Sequence, residues 1–552
     1  MKRFIVIMLL ALSFILSAST ETKAADSIMV NPFKKYQTIT GWEAADYIGE
    51  RGYPPYNNLS KYKNLLLDKV VNEYGLNRVR LEVRPVIENK TDYFQKYIDN
   101  PTPNGQWNWV HQNSMKFDND NDDPNVINPA GFIFTSLDDK IDESVLDLRR
   151  LLSAKGEKLI VNLTYVGFGT PGGLFQYDNP DEYAEYMLAI FSHMQKKYGF
   201  VPDLIEIELE PDNNSMNYSF SAKEMGEAIV ATKNKLSANG FNPKFVVPNT
   251  TNLSNALPNF KTILDVLCAN LGTDHWPAKC KNNINPASII AEFGYHRYQP
   301  KPNPLDVVKA IGQISSDLGI GSAMLEWWEN ENNYNTLYSD LTDGMNTAWQ
   351  QDAILSIYNV SNDGSTVTIA DKSKYIRQFT YYIRPGATRI DALATNSSHK
   401  PVAFINKDGK YVVVIIMQKQ INPTALSVSG LPAGTYGITY TDNNVWNQSL
   451  LDKTISAGNS IDVNLNVTGV MTIYQKNKIS GTVSPSPTAT PTMSFKPGDA
   501  NGDGKVDGID YVIWLNHYNQ FTNRGRMDGD FNNPPDGKVD GLDYVIWINN
   551  ID

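Results

Sequence analysis

The feature that most constrains the fold is a regular alternation of helical and strand-like segments between about residues 39 and 370. Amphipathic patterns predict helices at 60–74, 137–155, 181–198, 222–239, 260–271, 304–318 and 345–358. A strand-like run precedes the first helix and another follows each of them, the eighth being predicted at 366–370. This alternation predicts a parallel sheet, and its length favours a (β/α)8 barrel. An open doubly wound sheet is the alternative, but the sequence has no glycine-rich phosphate loop to accompany one.

The predicted fourth strand, in DLIEIELEPDNN (203–214), carries three carboxylates on one face. The alternating residues are Ile205, Ile207 and Leu209 on one side, and Glu206, Glu208 and Glu210 on the other. Pro211 ends the strand, so Glu210 is predicted at a carboxyl end, where parallel barrels hold catalytic groups. A solvated edge strand would show the same pattern, so this stretch alone does not decide between the two interpretations.

A second glutamate, Glu326 in AMLEWWE, ends the predicted seventh strand. Strands four and seven lie across a barrel mouth from each other, so Glu210 and Glu326 would flank the cleft. Glycosidic cleavage requires one protonated carboxyl for the leaving oxygen and one ionised carboxylate to attack the anomeric carbon. A rim salt bridge is the alternative for Glu326, and Glu208, one layer deeper, is the alternative acid.

Further candidates are predicted at strand ends around this pair. Arg80 shares a strand face with Arg78, Glu82 and Arg84, and an inward orientation would let it hold a carboxylate ionised. We expect Arg78 and Arg80 to pair with Glu206 and Glu208. The remaining candidates for substrate contact are Trp42 beside Glu43 on strand one, Asn162 and Tyr165 on strand three, Asn213 after strand four, His296 and Tyr298 on strand six, and Trp327 and Trp328 after strand seven. Tyr298 is predicted to hydrogen-bond Glu326.

The N-terminus has the pattern of a secretory signal peptide, predicted over residues 1–25. Lys2 and Arg3 precede an apolar run at 4–16 that is too short to span a bilayer securely, and small residues follow. We therefore expect a secreted, extracellular or cell-surface protein with no membrane span. The two cysteines, Cys268 and Cys280, would form one disulfide in that environment, with a free buried pair as the alternative. A net charge of −11 without a basic run argues against nucleic-acid binding.

The pattern changes after the barrel, which is predicted over 26–392 with 27–38 pairing with the next domain. Short strands separated by Gly, Pro and Asn turns predict an antiparallel β-sandwich over 393–478. A tract rich in Pro, Ser and Thr at 479–495 cannot form a core and is predicted to be a linker.

The C-terminal segment, 496–552, contains an internal repeat with the spacing of calcium loops. GDANGDGKVDGIDYVIWLNHY begins at Gly498, and GDFNNPPDGKVDGLDYVIWINN begins at Gly529 with a loop that is two residues longer. Calcium requires many oxygen ligands, which this spacing supplies, although a solvated acidic turn is the alternative for each loop. The predicted ligands are Asp499, Asn501, Asp503, the Lys505 carbonyl, Asp507 and Asp510 in the first loop, and Asp530, Asn532, Asp536, the Lys538 carbonyl, Asp540 and Asp543 in the second.

Duplicated loop-then-helix motifs behind a Pro/Thr linker resemble a dockerin domain. The resemblance covers 496–552 and implies a helical calcium-binding module that docks onto a cohesin of a scaffold or surface protein, as in a cellulosome. Dockerins often carry hydroxyl residues at loop positions 10 and 11, where the partner is recognised. This chain has Gly508-Ile509 and Gly541-Leu542 there, which leaves the class of cohesin open.

The barrel motifs resemble the clan A retaining glycoside hydrolases: a Glu-Pro after strand four, a Glu after strand seven, His-x-Tyr after strand six and an Arg on strand two. Within that clan, YQTITGWEA and KYIRQFTYYIRPGATRIDA (374–392) resemble the opening and the bridge segment of glycoside hydrolase family 30. The resemblance covers 27–476 and implies Glu210 as acid/base and Glu326 as nucleophile. Leu209 departs from the asparagine usual in the clan, whose amide contacts the sugar 2-hydroxyl, so either Asn213 or Asn162 takes that role or the substrate interaction differs.

These patterns together predict a secreted retaining endo-β-glycosidase with no catalytic cofactor. Its expected substrate is a plant-type polysaccharide of the xylan, β-galactan or β-glucan class, cleaved by double displacement. The alternatives are a non-catalytic carbohydrate-binding relative and an exo-acting enzyme of the same fold.

Overall fold

The computed structural model describes residues 26–100, 116–167, 178–213, 221–268, 284–421, 425–478, 496–501, 504–522, 525–532 and 536–552. These residues form two compact units, one ending at Ile479 and one spanning Ser480–Asp552. The larger unit contains a barrel and a β-domain. The predicted signal peptide and the predicted linker lie outside the described residues.

Eight parallel strands close into a barrel. After an N-terminal strand β1 (Asp26–Thr38), they are β2 (Gly41–Ala45), β3 (Arg78–Val83), β4 (Ile160–Tyr165), β5 (Leu204–Glu206), β6 (Lys244–Asn252), β7 (Ile290–Gln299), β8 (Gly321–Glu326) and β9 (Ala348–Ala353). Each strand hydrogen-bonds to the next, and β9 pairs with β2 to complete the ring. The predicted (β/α)8 barrel is therefore confirmed.

Helices surround the barrel because their apolar faces pack on the outward side chains of the strands. They are α1 (Leu59–Lys69), α2 (Tyr93–Asp99), α3 (Thr135–Lys140), α4 (Leu146–Ser153), α5 (Pro180–Tyr198), α6 (Ala222–Ala238), α7 (Leu253–Leu267), α8 (Leu305–Leu318), α9 (Tyr334–Thr342), α10 (Ile354–Ile357) and α11 (Asp371–Thr380). Single helical turns lie at Tyr56–Asn58, Val70–Tyr74, Pro85–Ile87, Pro129–Gly131, Ile141–Val145 and Pro286–Ser288.

The eighth barrel strand is not where the sequence pattern predicts it. The predicted helix at 345–358 contains β9 instead, while the predicted strand at 366–370 overlaps β11 (Val367–Ile369), which forms a hairpin with β10 (Tyr358–Val360) outside the barrel. The pattern misleads because β9 has the sequence AWQQDA, in which inward-facing polar residues replace a continuous apolar run. Met345 also has a φ of 48°, which a helix does not accommodate.

The β-domain is a nine-stranded, β-sandwich-like sheet in which β1 takes part. Its other strands are β12 (Thr388–Ala394), β13 (His399–Ile405), β14 (Tyr411–Met417), β15 (Leu426–Ser429), β16 (Gly434–Asp442), β17 (Gln448–Ile455), β18 (Ile461–Val463) and β19 (Gly469–Lys478). The pairs are antiparallel except β1 with β15, which is parallel. Strand β1 lies between β12 and β15. The first described segment of the chain therefore completes a domain whose other strands, β12–β19, come from the C-terminal part of the larger unit.

Helix α11 joins the β-domain to the barrel. Gln378 on this helix accepts hydrogen bonds from Thr439 at 3.1 Å and Thr472 at 2.8 Å, both on β-domain strands. The ring of Tyr382 packs against that of Tyr474, with centroids 4.5 Å apart. These buried contacts make the barrel and the β-domain one packed unit.

The C-terminal unit contains two helices in a pseudo-symmetric arrangement, α12 (Gly508–His517) and α13 (Gly541–Asn550). The indole of Trp514 donates to the Asp540 carbonyl at 2.9 Å, and that of Trp547 donates to the Asp507 carbonyl at 3.0 Å. Each helix therefore holds the loop that precedes the other helix. Two short strands, β20 (Gln520–Phe521) and β21 (Lys538–Val539), and a turn at Gly525–Asp528 complete the described part.

Cys268 follows α7, is buried and is disulfide-bonded, whereas its predicted partner Cys280 lies outside the described residues. In the described part of the chain, every helix is too short or too polar to cross a membrane.

A buried ion cluster fills the lower part of the barrel interior. Arg78 donates to Glu43 at 2.8 Å and to both oxygens of Glu292 at 2.6 and 3.0 Å, and all three side chains are almost completely buried. Thr40 also donates to Glu292 at 2.9 Å. One guanidinium therefore balances two buried carboxylates.

We expect Arg78→Met to destabilise the barrel by about 3–5 kcal/mol, because it leaves two buried carboxylates without their cation. The measurement is denaturant unfolding followed by tryptophan fluorescence. Lys90→Met is the matched control, because Lys90 pairs with Asp118 at an exposed position, where the loss should be within about 1 kcal/mol. Equal losses in the two variants would contradict this interpretation of the ion cluster.

Candidate active site

Glu210 lies four residues beyond the carboxyl end of the fourth barrel strand, which ends at Glu206 and not at Pro211 as predicted, and it has an unusual backbone conformation. Its φ is 50°, in the left-handed region that non-glycine residues seldom adopt and that is enriched at functional sites. One carboxylate oxygen is 2.9 Å from Nδ1 of His296 on β7, and the other accepts from Asn213 at 2.8 Å. Two neighbours therefore orient the Glu210 carboxyl at the barrel mouth.

Glu326 is the last residue of β8, and both of its oxygens are held by inward-facing residues. Arg80 on β3 donates to Oε2, and the Tyr298 hydroxyl on β7 donates to Oε1 at 3.0 Å. The Tyr298 oxygen in turn accepts from the backbone N–H of Trp328 at 3.2 Å. The expected hydrogen bond between Tyr298 and Glu326 is therefore present, and so is the expected support of a carboxylate by Arg80.

The two carboxylates and the histidine between them converge. One oxygen of Glu210, one oxygen of Glu326 and a ring nitrogen of His296 all lie within 4.8 Å of one another. A retaining glycosidase holds its two carboxyl groups about 5–5.5 Å apart, whereas an inverting enzyme separates them by about 6.5–9.5 Å. The spacing therefore fits direct attack by one carboxylate. These three side chains are also spaced so that they could hold a metal ion.

The charges around the pair favour an ionised Glu326. Burial by itself raises the pKa of Glu326, but the charges of Arg80 and His296 and the hydrogen bonds from Arg80 and Tyr298 bring it below its ordinary value. Burial lowers the pKa of His296, but the hydrogen bond and charge of Glu210 raise it above its ordinary value. The pKa of Tyr298 is raised by burial and by the nearby carboxylates, so the hydroxyl stays a donor.

The layer below the pair contains polar groups with different partners from those expected. Asn162 donates to Glu206 at 2.5 Å and to Glu43 at 3.3 Å. Burial raises the pKa of Glu206 to about 7, although the charge of Arg80 opposes this rise. The expected pairing of Arg78 and Arg80 with Glu206 and Glu208 is wrong, because Arg78 binds Glu43 and Glu292 and Arg80 binds Glu326.

Glu208, the alternative acid, lies outside the converging group. It is completely buried and accepts from the backbone N–H of Gly167 at 3.0 Å. Burial raises the pKa of Glu208 well above its ordinary value, although hydrogen bonds from the backbone N–H groups of Gly167 and Leu209 oppose this rise. Its position favours a role in joining the ends of β4 and β5.

Four predicted substrate contacts are covered by protein. Trp42 is 1% exposed on the outer side of β2 and donates to the Ile383 carbonyl at 2.7 Å. Tyr165 is 0% exposed and packs edge-on against Tyr183 and Tyr186 of α5. The other two are Trp327, in the barrel–helix core, and Asn162, in the layer below the pair. Trp42 and Tyr165 therefore face away from the barrel mouth, because alternate strand residues point to opposite sides. The substrate contacts of Trp327 and Asn162 stay predictions.

Leu209 packs against Val166 and is nearly buried. It therefore joins the outer packing beside β4 and offers no polar group to a ligand. Asn213, one of the residues expected to replace the missing asparagine amide, uses its Nδ2 to hold Glu210. The structure thus assigns Asn213 a contact with the candidate acid/base.

A cavity of about 440 Å³ lies next to the ends of β2 and β3, and its lining includes neither Glu210 nor Glu326. Trp328, two residues after Glu326, is 47% exposed and forms part of its wall. The other lining residues are Ala45, Asp46, Tyr47, Ile48, Gly49, Glu50, Arg51, Tyr56, Glu82, Phe94, Tyr97, Asp139, Lys140 and Glu143. A larger cavity of about 590 Å³ lies at the opposite end of the barrel, where the strands begin, and contains neither Glu210 nor Glu326.

Asp352 lies at the edge of the candidate active site, and the sequence pattern did not predict it there. It belongs to the misassigned strand β9, is nearly buried and pairs with Lys372 at 2.5 Å. Burial raises the pKa of Asp352 to about 6, and the charge of Glu326 adds to this rise while Lys372 opposes it. In the sequence, the only local indication that Asp352 belongs to the site is the pair of polar residues, Gln351 and Asp352, at the end of a strand.

The repeated loops of the C-terminal unit have equivalent hydrogen bonds at loop position 12. Asp510 accepts from the N–H groups of Ala500 and Asp507, and Asp543 accepts from those of Phe531 and Asp540. The two position-6 glycines, Gly504 and Gly537, have φ values of 88° and 80°.

The loop residues fit calcium, a hard cation that prefers oxygen ligands. Asp530 is fully buried, and its Oδ1 has no hydrogen-bond partner among the described residues. The other predicted ligands within the described residues are Asp499, Asn501, the Lys505 carbonyl, Asp507, Asp510, Asn532, Asp536, the Lys538 carbonyl, Asp540 and Asp543. Asp503 lies outside the described residues.

Comparisons with known proteins agree with this division of the chain. The barrel and β-domain share their fold with a GH30 endoxylanase from Clostridium papyrosolvens C71, at 16% identity and a TM-score of 0.54, over 81% of this chain and 99% of that one. The catalytic domain of GH30 xylanase C from Talaromyces cellulolyticus matches at 17% identity and a TM-score of 0.55, over 82% and 100%. A solved endo-β1,6-glucanase matches at 16% identity and a TM-score of 0.52, over 83% and 95%.

No curated protein sequence matches the chain. At these identities the solved structures establish a shared fold. The C-terminal segment is recognised by its sequence, which confirms the predicted dockerin: residues 497–552 match the family model of the dockerin type I domain.

Proposed function

We propose that the chain is a retaining endo-β-glycosidase that cleaves a plant-type polysaccharide of the xylan, β-galactan or β-glucan class. The observation that carries this proposal is the convergence of Glu210 and Glu326, with oxygens within 4.8 Å at the mouth of the barrel. The fold shared with solved endoxylanases and an endo-glucanase supports the substrate class.

In the first step, Glu326 attacks the anomeric carbon while Glu210 protonates the departing glycosidic oxygen. Arg80 and Tyr298 hold both Glu326 oxygens, so the carboxylate is ionised and oriented before the sugar arrives. The C–O bond to the leaving sugar breaks as the C–O bond to Glu326 forms. The leaving sugar takes the proton from Glu210.

In the second step, Glu210 acts as a base. Once Glu326 is esterified, its negative charge is lost from the site, and Glu210, which gave its proton to the leaving sugar, is the carboxylate beside the anomeric carbon. Glu210 then takes a proton from water as the water attacks the anomeric carbon. The bond to Glu326 breaks, and the sugar leaves with its original anomeric configuration.

The exposed Trp328 and the adjoining cavity provide a surface for sugar rings next to the nucleophile. An exo-acting enzyme and a non-catalytic binding protein remain the alternatives. A screen of the purified protein on xylan, galactan, mixed-linkage glucan and mannan separates the three, because an endo-enzyme releases internal fragments, an exo-enzyme releases short products from chain ends, and a binding protein releases none.

The dockerin match supports a place for the enzyme in a protein complex outside the cell. We propose that calcium organises its two loops and that it binds a cohesin of a scaffold or surface protein, after secretion directed by residues 1–25. The apolar pairs Ile509 and Leu542, and Val512 and Val545, lie exposed at equivalent places on α12 and α13. These side chains, rather than hydroxyl groups, would meet the cohesin near loop positions 10 and 11.

Glu326→Gln should lower kcat on the polysaccharide and on an aryl glycoside with a good leaving group, because no nucleophile remains. Glu210→Gln should lower kcat on the polysaccharide by about 10²–10⁴ and spare the first step on the aryl glycoside, which needs no protonation. Reducing ends and a burst of released phenol are the two measurements.

Asp462→Asn is the charge-matched control, since it also removes one negative charge, at an exposed position in the β-domain. Normal polysaccharide hydrolysis by Glu326→Gln would contradict the assignment of the nucleophile. Equal losses by Glu210→Gln on both substrates would contradict its role as the acid.

Arg80→Met should shift the acid limb of the kcat/KM profile to higher pH. Glu326 is active when ionised, so activity falls as the pH drops through its pKa, and removing the Arg80 charge raises that pKa. Arg149→Met, on the outer helix over Phe200, should leave the acid limb unchanged. An unshifted limb in a folded Arg80→Met enzyme would show that Arg80 does not control the ionisation of Glu326.

Calcium should protect the C-terminal unit from proteolysis, because ordered loops expose fewer cleavable bonds. Limited digestion with calcium or with chelator, followed by mass spectrometry of 496–552, measures this protection. Asp530→Asn should weaken it, whereas the exposed substitution Asp462→Asn in the β-domain should not. Equal cleavage with and without calcium would contradict the proposed loop function.

A further inference from the structure

The cavity of about 440 Å³ beside the ends of β2 and β3 has the size of a ligand site. Small-molecule sites in proteins typically measure about 300–1,000 Å³. Asp46 follows the last residue of β2, Glu82 lies near the end of β3 and Trp328 follows β8, and all three line the cavity. The carboxyl ends of the barrel strands meet at one mouth, so the cavity lies on the same side of the barrel as Glu210 and Glu326.

The cavity is one layer of side chains away from the candidate nucleophile. Arg80 and Glu82 are alternate residues of β3, so they share its inward face and lie roughly 7 Å apart along the strand. Arg80 donates to Glu326, and the N–H of Asp46 donates to the Arg80 carbonyl at 3.1 Å. Trp328 lies two residues after Glu326. The cavity and Glu326 are therefore adjacent positions along the mouth, and a ligand needs at least two sugar rings to occupy both.

Ion pairs hold the walls of the cavity. Lys140 lies 3.3 Å from Asp46, and Arg51 pairs with Asp139 and, at 2.8 Å, with Glu143. The lining contains five carboxylates and two cations, and both cations are engaged in these pairs. The cavity is therefore preformed, and an anionic ligand would meet carboxylates and no free cation among the described lining residues.

Two polar atoms of the lining lack a hydrogen-bond partner within the described part of the chain. They are Oδ2 of Asp46 and Nε of Arg51. Asp46 is 5% exposed and uses its Oδ1 for Lys140, so its second oxygen is buried without a donor. Such an oxygen is costly unless a ligand supplies a donor. A sugar hydroxyl is a donor, and the oxygens of the same sugar are acceptors for Arg51.

Aromatic side chains supply the apolar part of the lining. Tyr47 and Trp328 are 41% and 47% exposed, and Tyr56, Phe94 and Tyr97 also line the cavity. Tyr and Trp combine a flat apolar face with a polar edge. A sugar ring has the matching composition, since its C–H face is apolar and its hydroxyl groups project from the rim. The cavity therefore offers a stacking surface together with a hydroxyl acceptor and a donor.

We propose that this cavity is a subsite for an uncharged sugar ring of the polysaccharide chain, in which the Asp46 carboxylate accepts from the hydroxyl groups of that ring. The inference rests on the proposed function and adds the recognition of a second ring beside the one that Glu326 attacks. Neutral rings are favoured over uronic acids, because a uronate would face the lining carboxylates while Lys140 and Arg51 are already paired. Asp46 thereby selects for the length and the charge of the chain.

The test is a calorimetric titration of the full-length Glu326→Gln protein, which binds the ligand without cleaving it. Xylo-, galacto- and gluco-oligosaccharides of one to five rings are the probes. The affinity should rise at the length that first reaches the cavity. Adding Asp46→Asn should remove this rise and weaken the binding of the longer oligosaccharides by about 10–100-fold, the range for a hydrogen bond to a charged group. The affinity for the shorter oligosaccharides should stay unchanged.

Asp147→Asn in the same background is the matched control, because Asp147 is paired with Lys63 at 3.1 Å on the outer helix α4 and is not part of the lining. It should bind every oligosaccharide as the parent does. An oligosaccharide with a uronic acid as its terminal ring should bind more weakly than the neutral one of the same length. Equal affinities of the parent and Asp46→Asn, or an equal loss at every length, would overturn the subsite. Tighter binding of the acidic oligosaccharide would overturn the preference for an uncharged ring.

Hydrolysis by the wild type separates this inference from the proposed function. If the wild type releases reducing ends from a polysaccharide and Asp46→Asn binds like its parent, only the subsite is wrong. If the wild type releases none, the proposed function is wrong, and the length-dependent binding still decides whether the cavity holds a sugar ring. Trp328→Ala removes the exposed stacking surface and should weaken the binding of the same longer oligosaccharides, so it replaces Asp46→Asn if that variant does not fold.

Discussion

The two inward-facing arginines of β3 balance the charge inside the barrel. Arg78 neutralises Glu43 and Glu292 in the lower layer, and Arg80 neutralises Glu326 at the mouth. Carboxylates in so dry an interior are tolerated only when a cation and hydrogen bonds accompany them. Ion pairs therefore extend from the bottom of the barrel to the candidate nucleophile Glu326 at its mouth. Arg80 permits the burial of Glu326 and also keeps it ionised.

The two carboxyl groups of the candidate site have different partners. Glu326 is held by a permanent cation and a tyrosine hydroxyl, whereas Glu210 is held by a histidine and an amide. This difference in environment assigns the two carboxyl groups different roles in one reaction. The left-handed backbone of Glu210 shows that the loop after β5 is shaped to direct this side chain toward the cleft.

Around this centre the chain is modular, and its modules differ in how they are stabilised. The barrel and β-domain share a large apolar core joined by α11 and by β1, which brings the start of the described chain into the second domain. The dockerin has a small core of six buried side chains, mainly tryptophans and valines. A core this small needs a further source of stability, which bound calcium would supply.

Local pattern alone determined the barrel class, the two catalytic candidates, the Tyr298 contact and the dockerin, because each depends on periodicity or on fixed spacing along the chain. It failed for β9, whose inward residues are polar, and for Trp42 and Tyr165, whose strand faces turn toward helices. It also failed for the partners of Arg78 and Arg80. Only the closed barrel decided these points. Ion-pair partners and covered faces depend on which strands meet across the interior, and those strands are many residues apart in the sequence.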